Sequence, residues 1–198
     1  LSGELALDSR TSVTLFGERS DNLFAAEFTS ADEWEAGGEL VHSIDAANRI
    51  ALGASWRERR YDDAGRSRGR GIRIESEYRH RLAPNHFAYA RLRHERIASA
   101  EARRDLSRWL AEASYLRPIA RDLRAGAEIN YQRLEFRGRQ LASGGVRRDD
   151  IITPQLSLTY SPGAWRIAAR ARYALRQSTD PAFDRSGYRL EVEVSHAF

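Results

Sequence analysis

The stretch GYRLEVEVSHAF, residues 187–198, alternates between two kinds of side chain along its whole length. One parity carries Tyr188, Leu190, Val192, Val194, His196 and Phe198. The other parity carries Arg189, Glu191, Glu193, Ser195 and Ala197. Successive side chains of a β-strand point to opposite faces, so a period of two indicates a strand with one apolar and one polar face.

The same alternation returns along most of the chain. Going backward, it covers residues 164–176, 152–160, 123–136, 107–119, 86–96, 70–82, 50–56 and 34–44, with a first run at 5–15. These runs predict about ten strands, with roughly eight to twelve as the range. A slip of parity near Arg133 indicates a bulge there.

The connections between the runs alternate in length. Short ones lie at 45–48, 83–85, 120–122 and 161–163, and long polar ones lie near 62–69, 99–105, 139–149 and 178–186. This alternation is typical of an up-and-down antiparallel meander with tight turns at one end and loops at the other.

Composition narrows the class of protein. The 198 residues contain no Cys, so disulfides, zinc-thiolate sites and cysteine nucleophiles are excluded. A mean hydropathy of −0.62 and 30% charged residues exclude a protein that crosses a membrane with helices. Every basic residue is Arg, and the net charge is +4. We expect one domain over 1–198, and the start at Leu1 predicts a processed mature chain or the C-terminal membrane domain of a longer protein.

Alternation alone does not tell which face meets water, because soluble and membrane β-proteins share it. Three features favour a membrane protein. The strands are roughly 11–15 residues long, enough for a tilted bilayer crossing. The last apolar row ends on Phe198. The apolar rows also end in aromatic side chains, as girdles at a membrane interface do: Trp34, Trp56, Tyr78, Trp109, Tyr115, Trp165, Tyr173 and Tyr188.

We therefore predict an all-β fold, an up-and-down antiparallel transmembrane β-barrel in the bacterial outer membrane. Its apolar face would contact lipid, and its lumen would be rich in Arg and Glu. A soluble β-barrel or sandwich, with the apolar face inside, is the alternative.

The polar rows would line the lumen, and they are dense in opposite charges. They contain Arg73, Glu75, Glu77, Arg79, Arg81, Arg91, Arg93, Glu95, Arg108, Glu112, Arg124, Glu128, Arg166, Arg170, Arg172, Arg189, Glu191 and Glu193, with Arg57, Arg59 and Arg176. Side chains fill the interior of a barrel of about eight strands, so we predict a network of ion pairs that closes this one. Arg suits such pairing because its planar fork binds carboxylates in bidentate fashion. The alternative is an anion-selective path along 164–176.

No catalytic, metal-binding or cofactor-binding constellation is predicted. None of the five histidines, His42, His80, His86, His94 and His196, shares a lumen-facing row with an obvious Ser–Asp pair, so we do not expect an enzyme. The carboxylate pairs at 62–63 and 149–150 are assigned to long loops as solvated charge.

The expected partners are the lipid bilayer and lipopolysaccharide. Acidic residues interrupt the basic ones throughout the chain, which argues against binding of nucleic acid. The arginines expected to contact lipopolysaccharide at the outer rim are Arg66, Arg68, Arg70, Arg147 and Arg148.

The closing strand resembles the C-terminal strand of Gram-negative outer-membrane proteins. The residues that carry this match are Leu190, Val192, Val194, His196 and Phe198. In that class the strand is an insertion signal, which implies that Val192, Val194 and Phe198 are read by the outer-membrane assembly machinery.

A second resemblance covers residues 56–198. RRYDD at 59–63, SEYRHRL at 76–82, GVRRDD at 145–150 followed by TPQLSLTY, and the closing 188–198 resemble the C-terminal barrel of surface lipoprotein assembly modifiers and of related barrels that follow tetratricopeptide domains. The family barrel has more strands, and the loop before the last strand reads RQSTDPAFDRS here. The resemblance implies a role in moving or displaying a surface lipoprotein or polymer, together with a periplasmic helical-repeat domain.

Two functions follow as expectations. The first is transport or translocation across the outer membrane, or display at its surface. The second is a closed structural or anchoring barrel, which binds a periplasmic or surface protein partner through its loops or rim.

Overall fold

The computed structural model of the chain describes residues 1–22, 31–61, 68–84, 86–99 and 105–197. These residues form eleven β-strands and one short 3₁₀ helix, Pro181–Phe183. The strands are β1 (Ser2–Ala6), β2 (Thr11–Asn22), β3 (Ala31–Ser43), β4 (Asn48–Tyr61), β5 (Arg68–Ala83), β6 (His86–Ser99), β7 (Leu106–Ala120), β8 (Leu123–Gln140), β9 (Val146–Tyr160), β10 (Trp165–Ser178) and β11 (Arg185–His196). In the same ranges no helix is long and apolar enough to cross a membrane.

The strands form a single sheet in chain order. Each strand pairs in antiparallel fashion with the next one, from β1 to β11. Turns at 44–47, 121–122 and 161–164 lie at one end of the sheet, which we call the turn end. The connections at 141–145 and 179–184 lie at the other, the loop end. The predicted all-β, up-and-down antiparallel fold is therefore confirmed.

The eleventh strand comes from the first run of the sequence, which divides in two. The chain reverses at 7–10, where the Arg10 N–H donates a 2.7 Å hydrogen bond to the Asp8 carboxylate. Leu5 then pairs with Val13 on the same face. The large apolar residues before and after the turn within 5–15 are all odd-numbered. The alternation of 5–15 is therefore also what one continuous strand would show.

The register separates the two kinds of side chain. Ile74 of β5 pairs with Ala54 of β4 and with His94 of β6 on one face. The next residue along the strand, Glu75, pairs with Gly53 and with Arg93 on the other face. We call the face of Ile74 the apolar face and that of Glu75 the polar face.

Two details of the β8–β9 region differ from expectation. Pairing is regular through Arg133 and shifts only between Phe136 and Gln140, so the bulge predicted near Arg133 is wrong. Arg133 lies on the apolar face near the loop end, where its Nε donates to Asp150 at 2.8 Å. Asp149 and Asp150, predicted as loop residues, belong to β9 because the connection is only 141–145.

The apolar face is the exposed one. Leu156 and Ile72 are 65% and 57% exposed, whereas Glu95 and Glu33 on the polar face are 3% and 6% exposed. The described residues form a single layer, so buried polar side chains such as Glu33 and Glu95 must be sheltered by other side chains of the same face. This requires a sheet that curves around its polar face. Soluble β-proteins show the reverse, with the apolar face covered.

β1 and β11 are the edges of the described sheet. β1 pairs only with β2, over residues 12–16, and β11 pairs only with β10. Since each strand reverses the direction of the one before it, β1 and β11 run in the same direction, toward the turn end.

Candidate functional site

The sheltered centre of the polar face holds a network of ion pairs. Its members, which we call the central network, are Glu33, Glu35, Arg57, Arg59, Arg73, Glu95 and Arg108. The Arg57 guanidinium binds both Glu33 and Glu95, and its Nε lies 3.3 Å from Glu35. Arg108 Nη2 lies 2.9 Å from the Glu95 carboxylate. The buried carboxylates are thus compensated within the sheet, as charges removed from water must be.

The register of five strands brings this network together. Across β3 and β4, Glu33 faces Arg59 and Glu35 faces Arg57. Glu95 of β6 faces Arg73 on β5 and Arg108 on β7. Because neighbouring strands are ~4.8 Å apart, opposite charges in register lie within reach of one another.

The contact of Arg57 with Glu95 crosses an intervening strand. The two residues belong to β4 and β6, and the register places Gly71 of β5 beside Arg57. A Cβ at Gly71 would overlap the backbone carbonyl of Arg96. Because Gly71 has no side chain, β5 can pack closely against β6. The Arg57 side chain can also extend across β5 at this position to reach Glu95.

A second row of ion pairs lies nearer the turn end. Arg91 lies 3.2 Å from Glu75, 3.7 Å from Glu77 and 3.8 Å from Glu112. Arg93 Nε lies 2.5 Å from Glu75. Both arginines of this row therefore have carboxylate partners on neighbouring strands.

A separate cluster surrounds Asp149 at the loop end. This carboxylate is fully buried and accepts two hydrogen bonds from Arg147, at 3.1 and 2.8 Å. It also binds Arg176 and accepts the Ser178 hydroxyl at 2.5 Å. The Arg147 guanidinium lies 3.3 Å from the centre of the Phe183 ring, in the 3₁₀ helix of the β10–β11 connection. The cluster thus fixes that connection to the polar face.

The polar face of β8–β11 has twice as many arginines as carboxylates. Its carboxylates are Glu128, Asp149, Glu191 and Glu193, and its arginines are Arg124, Arg147, Arg166, Arg170, Arg172, Arg176, Arg185 and Arg189. Arg170 is 3.8 Å from Glu193 and 4.0 Å from Glu191. Among the described residues, no ion pair is formed by Arg124, Arg166, Arg172 or Arg185.

The aromatic residues predicted as girdles lie on the apolar face in two bands. Within five residues of the loop end of their strands are Trp34, Trp56, Trp109, Tyr173 and Tyr188. Within five residues of the turn end are Tyr78, Tyr115 and Trp165. All eight rings are exposed.

The charged residues predicted to line a lumen lie on the polar face, but the structure does not join them all. It brings together Arg73, Glu95 and Arg108 with their neighbours, and it leaves Arg124, Arg166 and Arg172 apart from any carboxylate of the described residues. Of the predicted insertion signal, Val192 and Val194 lie on the apolar face of β11. Phe198 lies outside the described residues.

Three acidic members of these clusters were not predicted. Glu33 and Glu35 flank Trp34, so the alternation of β3 assigns them to the polar face. The alternation of Arg147, Asp149 and Ile151 does the same for Asp149. Arg147, predicted to contact lipopolysaccharide, is instead buried against Asp149. Of the other arginines in that prediction, Arg68 and Arg70 are exposed, and Arg148 lies 3.9 Å from Glu135. Arg66 lies outside the described residues.

No group of three or more His, Asp or Glu in the described ranges is placed to hold a metal ion. His94 Nε2 lies 3.2 Å from the Ser107 hydroxyl, on the apolar face. That the chain is not an enzyme stays a prediction.

No family model, curated protein or solved structure matches the chain. The resemblance to surface lipoprotein assembly modifiers therefore also stays a prediction.

Proposed function

We propose that the chain forms a transmembrane β-barrel of the bacterial outer membrane and acts in transport or translocation across that membrane, or display at its surface. The polar face lines the lumen, and the apolar face contacts lipid. The observation that carries this proposal is the inverted exposure of the two faces, with apolar side chains exposed along the sheet and the charged side chains of the central network and the Asp149 cluster sheltered.

This inversion is unfavourable in water and favourable in a bilayer. Exposed apolar surface costs roughly 25 cal/mol per Å² relative to burial, and contiguous patches above a few hundred Å² are rare on soluble monomers. Here large apolar side chains are exposed on all strands from β3 to β11. Hydrocarbon removes that cost, and the antiparallel ladder satisfies the backbone hydrogen bonds that hydrocarbon cannot.

The dimensions support the same proposal. Strands β2 to β11 are 12 to 18 residues long, and a tilted crossing needs about 9–11. The two bands of aromatic rings lie near opposite ends of the strands, as they would at the two membrane interfaces.

The tryptophans provide a test that requires no substitution. All four, Trp34, Trp56, Trp109 and Trp165, lie on the apolar face. After refolding into lipid vesicles, brominated lipids should quench most of the tryptophan fluorescence, and more strongly when the bromine lies near the headgroups than near the chain ends. A soluble sheet would show the same fluorescence with brominated and ordinary lipids.

A barrel must join the edges β1 and β11. Direct pairing would be parallel, because the two strands run in the same direction. One additional strand between them would pair in antiparallel fashion with both and make the number of strands even, as in bacterial outer-membrane barrels. The two arrangements differ in the separation of β1 and β11, ~4.8 Å against ~10 Å.

Cysteine pairs distinguish the two arrangements, since the chain has no native Cys. Leu5→Cys combined in turn with Leu190→Cys, Val192→Cys and Val194→Cys should give one disulfide if closure is direct, because a disulfide needs Cα atoms about 4.4–6.8 Å apart. Spin labels about 10 Å apart without a disulfide would indicate an intervening strand. Separations much larger than two strand spacings of ~4.8 Å in the refolded protein would contradict closure.

A closed anchoring barrel is the second candidate, favoured by the central network, whose paired side chains occupy the polar face of β3–β7. Planar-bilayer recording separates the two candidates. Stepwise currents from the refolded, heat-modifiable protein would support transport and eliminate a permanently closed barrel. Silence from protein that passes the tryptophan test would favour anchoring.

A further inference from the structure

Five arginines line the polar face of β8–β11 from the turn end toward the loop end. Arg166, Arg170 and Arg172 lie along β10, with Arg124 on β8 and Arg189 on β11. We call these five residues the arginine track. Alternate residues of a strand are ~6.7 Å apart, so the track presents a row of guanidinium groups rather than a single charge.

The track lacks the compensation found in the central network. Arg124, Arg166 and Arg172 form no ion pair within the described part of the chain. Arg172 directly faces Arg189 in the β10–β11 register, and like charges in facing positions destabilise a sheet. The other two members have carboxylate partners: Arg189 lies 2.5 Å from Glu191, and Arg170 lies 3.8 Å from Glu193.

The neighbours of the track leave space beside it. Several polar-face residues between and beside these arginines are small or uncharged: Gly126, Ser157, Thr159, Ala168, Ala174 and Gly187. Glu191 and Glu193 of β11 lie beside Arg170. Arg166 and Arg172 are exposed, and Arg172 belongs to a strand that is paired on both sides.

The chemistry of these groups defines what would bind. A guanidinium donates two parallel hydrogen bonds to phosphate, carboxylate or sulfate oxygens. Rings and rows of arginine give pores a preference for anions. A bound oxyanion would also offset the repulsion between Arg172 and Arg189.

We propose that the arginine track is the binding path for an anionic solute that carries oxyanion groups. This inference rests on the proposed transport function and names the class of substance transported.

The test compares two double variants that each remove two charges. Arg166→Gln with Arg172→Gln changes the track at residues without an ion pair. Arg49→Gln with Arg79→Gln is the control, because these two arginines also lie on the polar face, on β4 and β5 near the turn end, and are outside the track. Both variants should keep the heat-modifiable band of the wild type.

Reversal potentials across a KCl gradient report ion selectivity. The wild type should prefer chloride, and inorganic phosphate should reduce its chloride current. The track variant should lose most of the preference and require about tenfold more phosphate for the same reduction, while the control changes little. Equal changes in both variants, or a cation-selective wild type, would overturn the role of the track.

A measurement that needs no current separates this inference from the proposed function. Calorimetric titration of the refolded protein with tripolyphosphate should give binding that the track variant loses and the control retains. Binding of this kind from a protein silent in bilayers would sustain the oxyanion site and refute transport. Conductance without track-dependent binding or selectivity would sustain transport and refute the oxyanion site.

Discussion

The polar face of β3–β7 and the polar face of β8–β11 are built from the same residue types on the same alternating backbone, yet their charges are arranged differently. In β3–β7 the arginines of the central network each meet a carboxylate, and several of those carboxylates are nearly buried. In β8–β11 arginines exceed carboxylates, and several are exposed and unpaired among the described residues.

The difference teaches that register and the balance of arginines and carboxylates together decide what a charged row does. A carboxylate directly across from an arginine produces a fixed pair that fills space. Where arginines face each other in a region with few carboxylates, as at Arg172 and Arg189, positive charge is left available to a ligand. The Asp149 cluster, at the loop end of β8–β11, is an exception in that region, because its arginines are paired with a buried carboxylate.

The largest expected effect tests the central network. Glu95→Ala should lower the free energy of unfolding by about 4 kcal/mol, because Arg57 and Arg108 lose a shared partner in a sheltered position. Glu191→Ala, the matched control in the other region, should cost less than ~1 kcal/mol, since its ion pairs are exposed. Urea unfolding of the refolded protein measures both, and equal losses would remove the distinction between the two regions.

The Asp149 cluster should behave like the central network despite its location. Asp149→Asn should cost about 3 kcal/mol, because two arginines lose their charged partner while the amide oxygen still accepts the Ser178 hydroxyl. The 179–184 connection should also become a site of protease cleavage. A variant with wild-type stability would show that the burial of Asp149 does not fix this connection.

Substitutions on the apolar face should have the same effect on stability in both regions. Leu52→Arg and Leu156→Arg, one in each region, should each cost about 2–3 kcal/mol in lipid vesicles. Leu52→Ala and Leu156→Ala are the controls for lost apolar surface. In a soluble sheet such exposed positions would tolerate arginine within about 0.5 kcal/mol, so an absence of cost would contradict lipid contact in that region.

The smallest expected effect concerns the turns. The Asn48 side-chain amide and the N–H groups of Ala47 and Asn48 donate to Asp45, and these hydrogen bonds lower its pKa. A lowered pKa stabilises the fold fully above the ordinary carboxyl pKa of about 3.9, and this contribution is lost progressively as pH falls from there through the lowered pKa. Asp45→Asn should therefore lower the urea midpoint slightly at pH 7 and by a smaller amount at pH 3.

The corresponding turn of the other region, at 161–164, contains no carboxylate. Ala164→Ser is a control there, and its effect on the urea midpoint should be the same at both pH values. An equal loss for Asp45→Asn at pH 3 and pH 7 would show that the Asp45 hydrogen bonds do not depend on its charge.

The alternation of the sequence was sufficient to predict the class of fold and the two faces. Side chains on a strand alternate without regard to the rest of the molecule, so the positions of Ile74 and Glu75 in the sequence alone assign them to opposite faces. The eight aromatic residues could be assigned to the apolar face for the same reason. The division of 5–15 into two strands could not be predicted, because the turn at 7–10 preserves parity.

By itself, then, the sequence determined that the chain forms antiparallel strands with one apolar and one charged face, because that pattern is local. Only the tertiary structure decided which face is sheltered and which carboxylate meets which arginine. It also decided that Asp149 is buried in a strand rather than solvated in a loop. These outcomes depend on curvature and register, which arise from the pairing of residues far apart in the chain.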